Sequence, residues 1–195
     1  MKKIKINVFA VLLVMIVAAF ITSCTSGGNT SKLQAKVDSL ENELKRFTEE
    51  KALTMMRLVR FDSLDFEMYN KQDWKKFNVS HADNIKVYYP DGTITEGLYP
   101  QHIDMLTPMF VFAPDTKIAS HPVKFGSGDW TCVIGEMEGT FTKPMPIGNG
   151  KTIAPTNKKF KLSMATIGHW KEGKMIEEYL FWDNQSFMKQ VGLAK

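Results

Sequence analysis

Apolar and polar positions give the chain three successive textures. Val8–Ile21 is an unbroken apolar run of 14 residues behind Lys2, Lys3 and Lys5. Leu33, Val37, Leu40, Leu44 and Phe47 then recur at spacings of 4, 3, 4 and 3, the rhythm of a helical heptad seam. Helical periodicity continues through Met55, Leu58, Phe66 and Tyr69, with Asp62 on the same face. The pattern predicts one long helix or two abutting ones up to about Asn70. Asp73 is placed to N-cap a short helix carrying Trp74 and Phe77.

From residue 85 the texture becomes strand-like. Ile85–Tyr89 reads as a short strand ended by the turn Pro90-Asp91-Gly92. Pro100 is placed to open a helix carrying Ile103, Met105, Leu106, Met109 and Phe110, which Pro108 is expected to kink or end. Four strand-like runs follow: Ile118–Phe125, Trp130–Phe141, Lys159–Trp170 and Lys174–Trp182. Lys171-Glu172-Gly173-Lys174 forms a tight hairpin between the last two, and a Pro/Gly-rich loop over 143–155 separates the second and third. Asn184–Val191 closes the chain as a short helix stopped by Gly192. Helices first and mostly antiparallel strands afterwards predict an α+β domain, a curved sheet packed on N-terminal helices, with a hollow suited to a ligand.

The first segment changes the meaning of the charge. The chain holds 25 Lys and Arg against 21 Asp and Glu, a net +4. Three of those lysines precede the apolar run, which is short for a membrane span and fits a secretory signal. Ile21-Thr22-Ser23-Cys24 resembles a bacterial lipobox, which implies cleavage before Cys24 and acylation of that residue. A plain signal peptide with an incidental cysteine is the alternative. The expected organisation is a signal peptide over 1–23, a flexible tether and short heptad helix over 24–49, and the α+β domain over 50–195. The mature chain then carries 22 basic and 21 acidic side chains with no concentrated Lys/Arg patch, so no nucleic-acid partner is expected. Cys132 is left alone in a strand-like apolar run, where a buried, inert thiol is the expectation. The absence of an acidic residue at Thr25 favours an outer membrane over inner-membrane retention, where the cell has one. The heptad seam serves either as a stalk that pairs two copies or as a helix packed on its own domain.

The end of the chain is similar to that of a known family. Gly173-Lys174-Met175-Ile176-Glu177-Glu178-Tyr179, then Phe181-Trp182-Asp183-Asn184, then Gln190-Val191-Gly192-Leu193, resembles the ending of SnoaL-like polyketide cyclases, of the nuclear transport factor two-like fold superfamily. Pro155-Thr156-Asn157-Lys158, Gly128-Asp129, Gly139-Thr140, Pro90-Asp91-Gly92, Gly97 and Pro114-Asp115 fit the same family in order and spacing, over roughly residues 50–195. The resemblance implies a cone-shaped α+β barrel without metal or organic cofactor. It also implies that Asp183 matches an aspartate acting as general acid/base in ring-closing aldol chemistry. The chain departs from the family in three places: Phe141 stands where a histidine commonly follows Gly-Thr, Asn157 replaces a glycine, and Tyr89 stands where the first strand often has histidine.

Register gives these residues a provisional arrangement. Counting back through the Glu172-Gly173 turn pairs Leu162 with Asp183, Met164 with Phe181 and Thr166 with Tyr179. Asp183, Phe181, Tyr179, Leu162 and Met164 then share one face. A carboxylate in such a pocket loses hydration, and its pKa rises into a range useful for proton transfer. Asp183 or Asn184 is equally placed to N-cap the last helix. The expected pocket comprises Tyr89, Trp130, Leu162, Met164, Tyr179 and Phe181, and the expected ligand is small and largely apolar. Glu136 and Glu138 are expected at solvated positions. His169 falls on the opposite face, His81 and His102 are expected exposed in helical or loop segments, and His121 reads as structural. The four histidines show no metal-ligand spacing in the sequence. A non-enzymatic interaction module of the cell envelope, with the pocket filled by side chains, is the competing reading.

Overall fold

The computed structural model describes residues 27–195, so the apolar run, Cys24 and the expected signal segment lie outside the described residues. The chain divides between Phe47 and Thr48 into two units. Helix α1 spans Gly27–Ser63. In the first unit its seam residues Leu33, Val37, Leu40, Leu44 and Phe47 are all exposed. Among the described residues no helix is long and apolar enough to cross a membrane.

In the second unit the last turns of α1 bury Leu58 and Phe61. A π-helical turn, Leu64–Tyr69, continues the helix and buries Leu64, Met68 and Tyr69. A 3-10 turn, Trp74–Val79, follows. Asp73 precedes it without making a side-chain cap and pairs instead with Lys76 at 2.6 Å. The strands are β1 (His81–Tyr88), β2 (Ile94–Glu96), β3 (Lys117–Ser127), β4 (Trp130–Thr140), β5 (Met145–Pro146), β6 (Thr152–Ile153), β7 (Lys159–Lys171) and β8 (Lys174–Phe181). Helix α2 spans Ile103–Phe112 and α3 spans Asn184–Gln190. The main sheet runs β2-β1-β8-β7-β4-β3, and β5 pairs with β6 separately. Every pairing is antiparallel except β1 with β8, which is parallel.

The expected α+β order is therefore present, with two local corrections. Strand β1 begins at His81, four residues before the expected start, and α2 continues through Pro108 to Phe112. A proline six residues into a ten-residue helix forfeits a single hydrogen bond, to the carbonyl four residues back.

Two buried or half-buried cations bind α1 to the turns of the sheet. The Arg57 guanidinium donates to Asp129 Oδ1 at 2.8 Å and to the Gly128 carbonyl. Arg60 donates to the Gly173 carbonyl in the β7–β8 turn. In that turn Glu172 and Gly173 both have positive φ, 51° and 79°, as a two-residue hairpin matched to strand twist requires.

The β7–β8 pair carries the irregularity that matters most. Lys171 pairs with Lys174 and Trp170 with Met175, as simple counting from the turn gives. Beyond a bulge the register is His169 with Glu177, Ile167 with Tyr179 and Ala165 with Phe181. One extra residue in β8 turns every later side chain to the other face. Met175, Glu178 and Leu180 are consequently buried with Leu162, Thr166 and Trp170, while Phe181 is exposed. The pairing of Leu162 with Asp183, Met164 with Phe181 and Thr166 with Tyr179 is thus replaced by one shifted by a residue.

Candidate functional site

The concave face of the sheet, helix α2 and the π-helical turn enclose a cavity of about 220 Å3. For scale, a dry cavity of about 150 Å3 admits benzene. Its upper wall is apolar and adaptable: Met105, Leu106 and Met109 from α2 face Leu162 and Met164 of β7 and Leu180 of β8. Thioether side chains tolerate varied apolar shapes. Trp182 lines the same cavity just past β8.

The floor is polar and comes from three separate elements. His81 opens β1, His102 immediately precedes α2, and Glu178 lies in β8 beyond the bulge. They are 1%, 2% and 5% exposed. The expectation of exposed histidines fails because β1 starts earlier and the parallel β1–β8 pairing brings its first residue beside Met175. His81 Nε2 lies 3.8 Å and His102 Nε2 3.5 Å from Glu178 Oε2, both too long for hydrogen bonds. Their opposite ring nitrogens are held firmly. His81 Nδ1 lies 2.9 Å from Ser80 Oγ and 3.2 Å from the Phe77 carbonyl. His102 Nδ1 lies 2.8 Å from the Tyr89 hydroxyl. Phe77 stacks on His81 at 5.4 Å. Burial pushes His102 down to about 4, so its ring is neutral at neutral pH. Burial acts against the Glu178 carboxylate, yet the facing imidazoles hold its pKa below the ordinary value.

The fold brings only part of the expected pocket together. Tyr89, Leu162 and Met164 line the cavity. Trp130, Tyr179 and Phe181 are not among the lining residues. Trp130 stacks on His169 at 4.1 Å and Tyr179 on Tyr88 at 4.3 Å, on the other side of the sheet; the bulge turns Tyr179 and Phe181 there, and the regular β4–β7 register puts Trp130 beside His169. Asp183 is exposed and N-caps α3, its Oδ1 accepting from the Ser186 N–H at 3.0 Å. Cys24 lies outside the described residues. Phe141, in the position of the family's common histidine, is fully buried edge-on to Phe112.

His81, His102 and Glu178 are the functional side chains the sequence reading missed. A signal for His81 existed. It shares strand parity with Ile85, Val87 and Tyr89, all buried, once β1 is extended back to residue 81.

A second histidine cluster borders the cavity. His121 places Nδ1 2.8 Å from Asp62 and Nε2 2.8 Å from Asp65, and Lys124 also reaches Asp62. With both carboxyls ionised each ring nitrogen carries a proton, while burial pushes the Asp65 pKa up against the bond from His121. Burial alone would lower the His121 pKa, but the bonds to Asp65 and Asp62 outweigh it and raise the value.

The comparisons agree with this architecture. The solved structures similar to the chain include a SnoaL-like protein from Jannaschia sp. CCS1, at 16% identity and TM-score 0.63 over 73% of this chain and 96% of that one. IdmH from Streptomyces antibioticus is 18% identical, with TM-score 0.59 over 70% and 98%. A protein with a ketosteroid isomerase-like fold from Catenulispora acidiphila, solved with trimethylamine, is 12% identical, with TM-score 0.55 over 72% and 95%. At these identities the likeness is one of fold. No curated protein matches the chain. The profile of the SnoaL-like polyketide cyclases matches residues 63–191, from the end of α1 through α3. By that match across most of the domain, the chain belongs to the SnoaL-like polyketide cyclase family.

Proposed function

We propose that the domain binds a small, largely apolar molecule in the cavity, with the ligand's polar end directed to the floor at Tyr89, His102 and Glu178. The observation that carries this reading is a cavity of about 220 Å3 whose methionine and aliphatic walls converge on buried polar groups. That combination is the usual make-up of a small-molecule site. Family membership supports it. The acid/base role that the resemblance assigns to Asp183 draws no support from its exposed, capping position.

The test uses the purified full chain in detergent and a series of aromatic ketones of increasing size, starting from acetophenone. A binder raises the melting temperature and quenches tryptophan fluorescence, with Trp182→Phe removing most of the quench. Ligand at 100 times its Kd stabilises by about 2.7 kcal/mol. Met164→Arg, which places a charge in the apolar wall, is expected to abolish both signals. A series that moves neither signal counts against the reading.

The same proposal includes delivery. The chain is exported and held on a membrane through acylated Cys24, and the exposed seam Leu33–Phe47 pairs two copies. Cys24→Ser is expected to move the protein to the soluble fraction, and continued membrane association of that variant would contradict the anchor. Lysine at Leu40 and Leu44 is expected to give a monomer by light scattering.

A further inference from the structure

We propose that His81 Nε2, His102 Nε2 and Glu178 Oε2 form a binding site for one divalent transition-metal ion of the Zn2+ or Fe2+ class. The ion occupies the polar floor of the same cavity, so metal uptake and ligand binding are measured separately.

The argument starts from unsatisfied atoms. His81 Nε2 and Glu178 Oε2 are both buried and without a hydrogen-bond partner. They face each other at 3.8 Å. The Phe77 carbonyl at 3.2 Å accepts a proton carried on His81 Nδ1, and Ser80 Oγ at 2.9 Å can accept from or donate to the same nitrogen. In the tautomer protonated on Nδ1, Nε2 is a lone pair facing a carboxylate oxygen. Two buried acceptors with no donor between them are costly. A cation between them removes that cost and converts both lone pairs into ligands.

Geometry fits such an ion. Each of the three residues offers one ligand atom, and the three atoms lie within 4.8 Å of one another. Bonds of about 2.1 Å in tetrahedral array set ligand atoms roughly 3.4 Å apart. The observed separations of 3.5 and 3.8 Å to Glu178 Oε2 need only a small contraction.

The surroundings also fit. A ligating histidine usually has its other ring nitrogen held by a carbonyl, carboxylate or water, which sets the tautomer. Here Phe77 and Ser80 hold His81, and Tyr89 holds His102. Tyr89 also neighbours Thr95, whose buried hydroxyl lacks a partner. When His102 Nε2 binds metal, its Nδ1–H donates to Tyr89 and the phenol donates on to Thr95. Two imidazoles and one carboxylate favour Zn2+ or Fe2+ over Mg2+ or Ca2+, which prefer all-oxygen sets. All three side chains line the cavity, so an open coordination position faces it. The His121 cluster is unlike this one, because both of its ring nitrogens are already committed to carboxylates.

The test is a titration of the purified, chelator-treated full chain with Zn2+, followed by calorimetry and thermal melting, with Mg2+ as the parallel arm. The expected result is one equivalent of Zn2+ and a raised melting temperature, with neither from Mg2+. Glu178→Gln and His102→Asn are each expected to weaken uptake at least tenfold while keeping the wild-type circular dichroism. His169→Ala, which removes the histidine paired with Glu177, is expected to leave uptake unchanged. No stoichiometric Zn2+ uptake by the wild type overturns the proposal. So does undiminished uptake by folded Glu178→Gln, or loss of uptake in His169→Ala. Co2+ loading of the wild type gives a check that needs no variant. A visible spectrum of tightly coordinated Co2+ supports the site, and the spectrum of aqueous Co2+ overturns it.

Discussion

The two histidine clusters beside the cavity use the same residue types to opposite ends. At His121 every ring nitrogen meets a carboxylate at 2.8 Å, and the ring packs on Phe66 at 4.4 Å. At His81 and His102 one carboxylate serves two imidazoles, no contact closes to hydrogen-bond length, and two atoms remain unpartnered. The first arrangement is complete within the chain and fastens α1 and the π-helical turn to β3. The second is complete only with something added. Side-chain composition does not separate the two; the accounting of donors and acceptors does.

The largest effect is expected on breaking the complete cluster. His121→Ala leaves Asp65 buried and unpaired, a loss on the order of 3–5 kcal/mol, measurable by urea unfolding. Next in size is Asp183→Ala, expected to cost about 1 kcal/mol through the lost N-cap of α3 with ligand binding unchanged. A ligand-binding defect in this variant at unchanged stability would place Asp183 at the ligand site.

The pH dependence of His121 is smaller and has a definite sign. Its folded pKa is raised, so its contribution is fully present below the unfolded value of about 6.5. It is lost as pH rises through the higher folded value. Wild-type stability should fall over that interval, and His121→Ala should lack the step. The smallest effect is expected at the incomplete cluster. Glu178→Gln removes a buried charge and supplies an amide donor to the facing imidazoles, so without metal its stability should stay within about 1 kcal/mol of wild type or rise. A collapse like that of His121→Ala would erase the distinction between the clusters.

Much of the fold was legible in the sequence because its signals are local. The four long strands, the Glu172-Gly173 turn and the Gly192 stop depend on alternation and turn chemistry within a few residues. The site was less legible because it depends on one inserted residue. In β8 and just beyond it, Met175, Tyr179 and Phe181 have one parity and Ile176, Leu180 and Trp182 the other, with Glu177 and Glu178 divided between them. Both faces look equally apolar, so the pattern carries no sign of the bulge that selects Glu178. His81 and His102 meet through the parallel β1–β8 pairing and the entry to α2, contacts that no local spacing encodes. Tyr89, just past β1, and Leu162 and Met164 on β7 were found because the inserted residue lies in β8 and leaves their parity unchanged.

The most direct measurement of the unfinished cluster is anomalous X-ray scattering at the zinc edge from crystals soaked in Zn2+. The account predicts a peak between His81 Nε2, His102 Nε2 and Glu178 Oε2, with an open side toward the cavity. A peak confined to His169 and Glu177 on the other side of the sheet, with no density among the three buried residues, would contradict it.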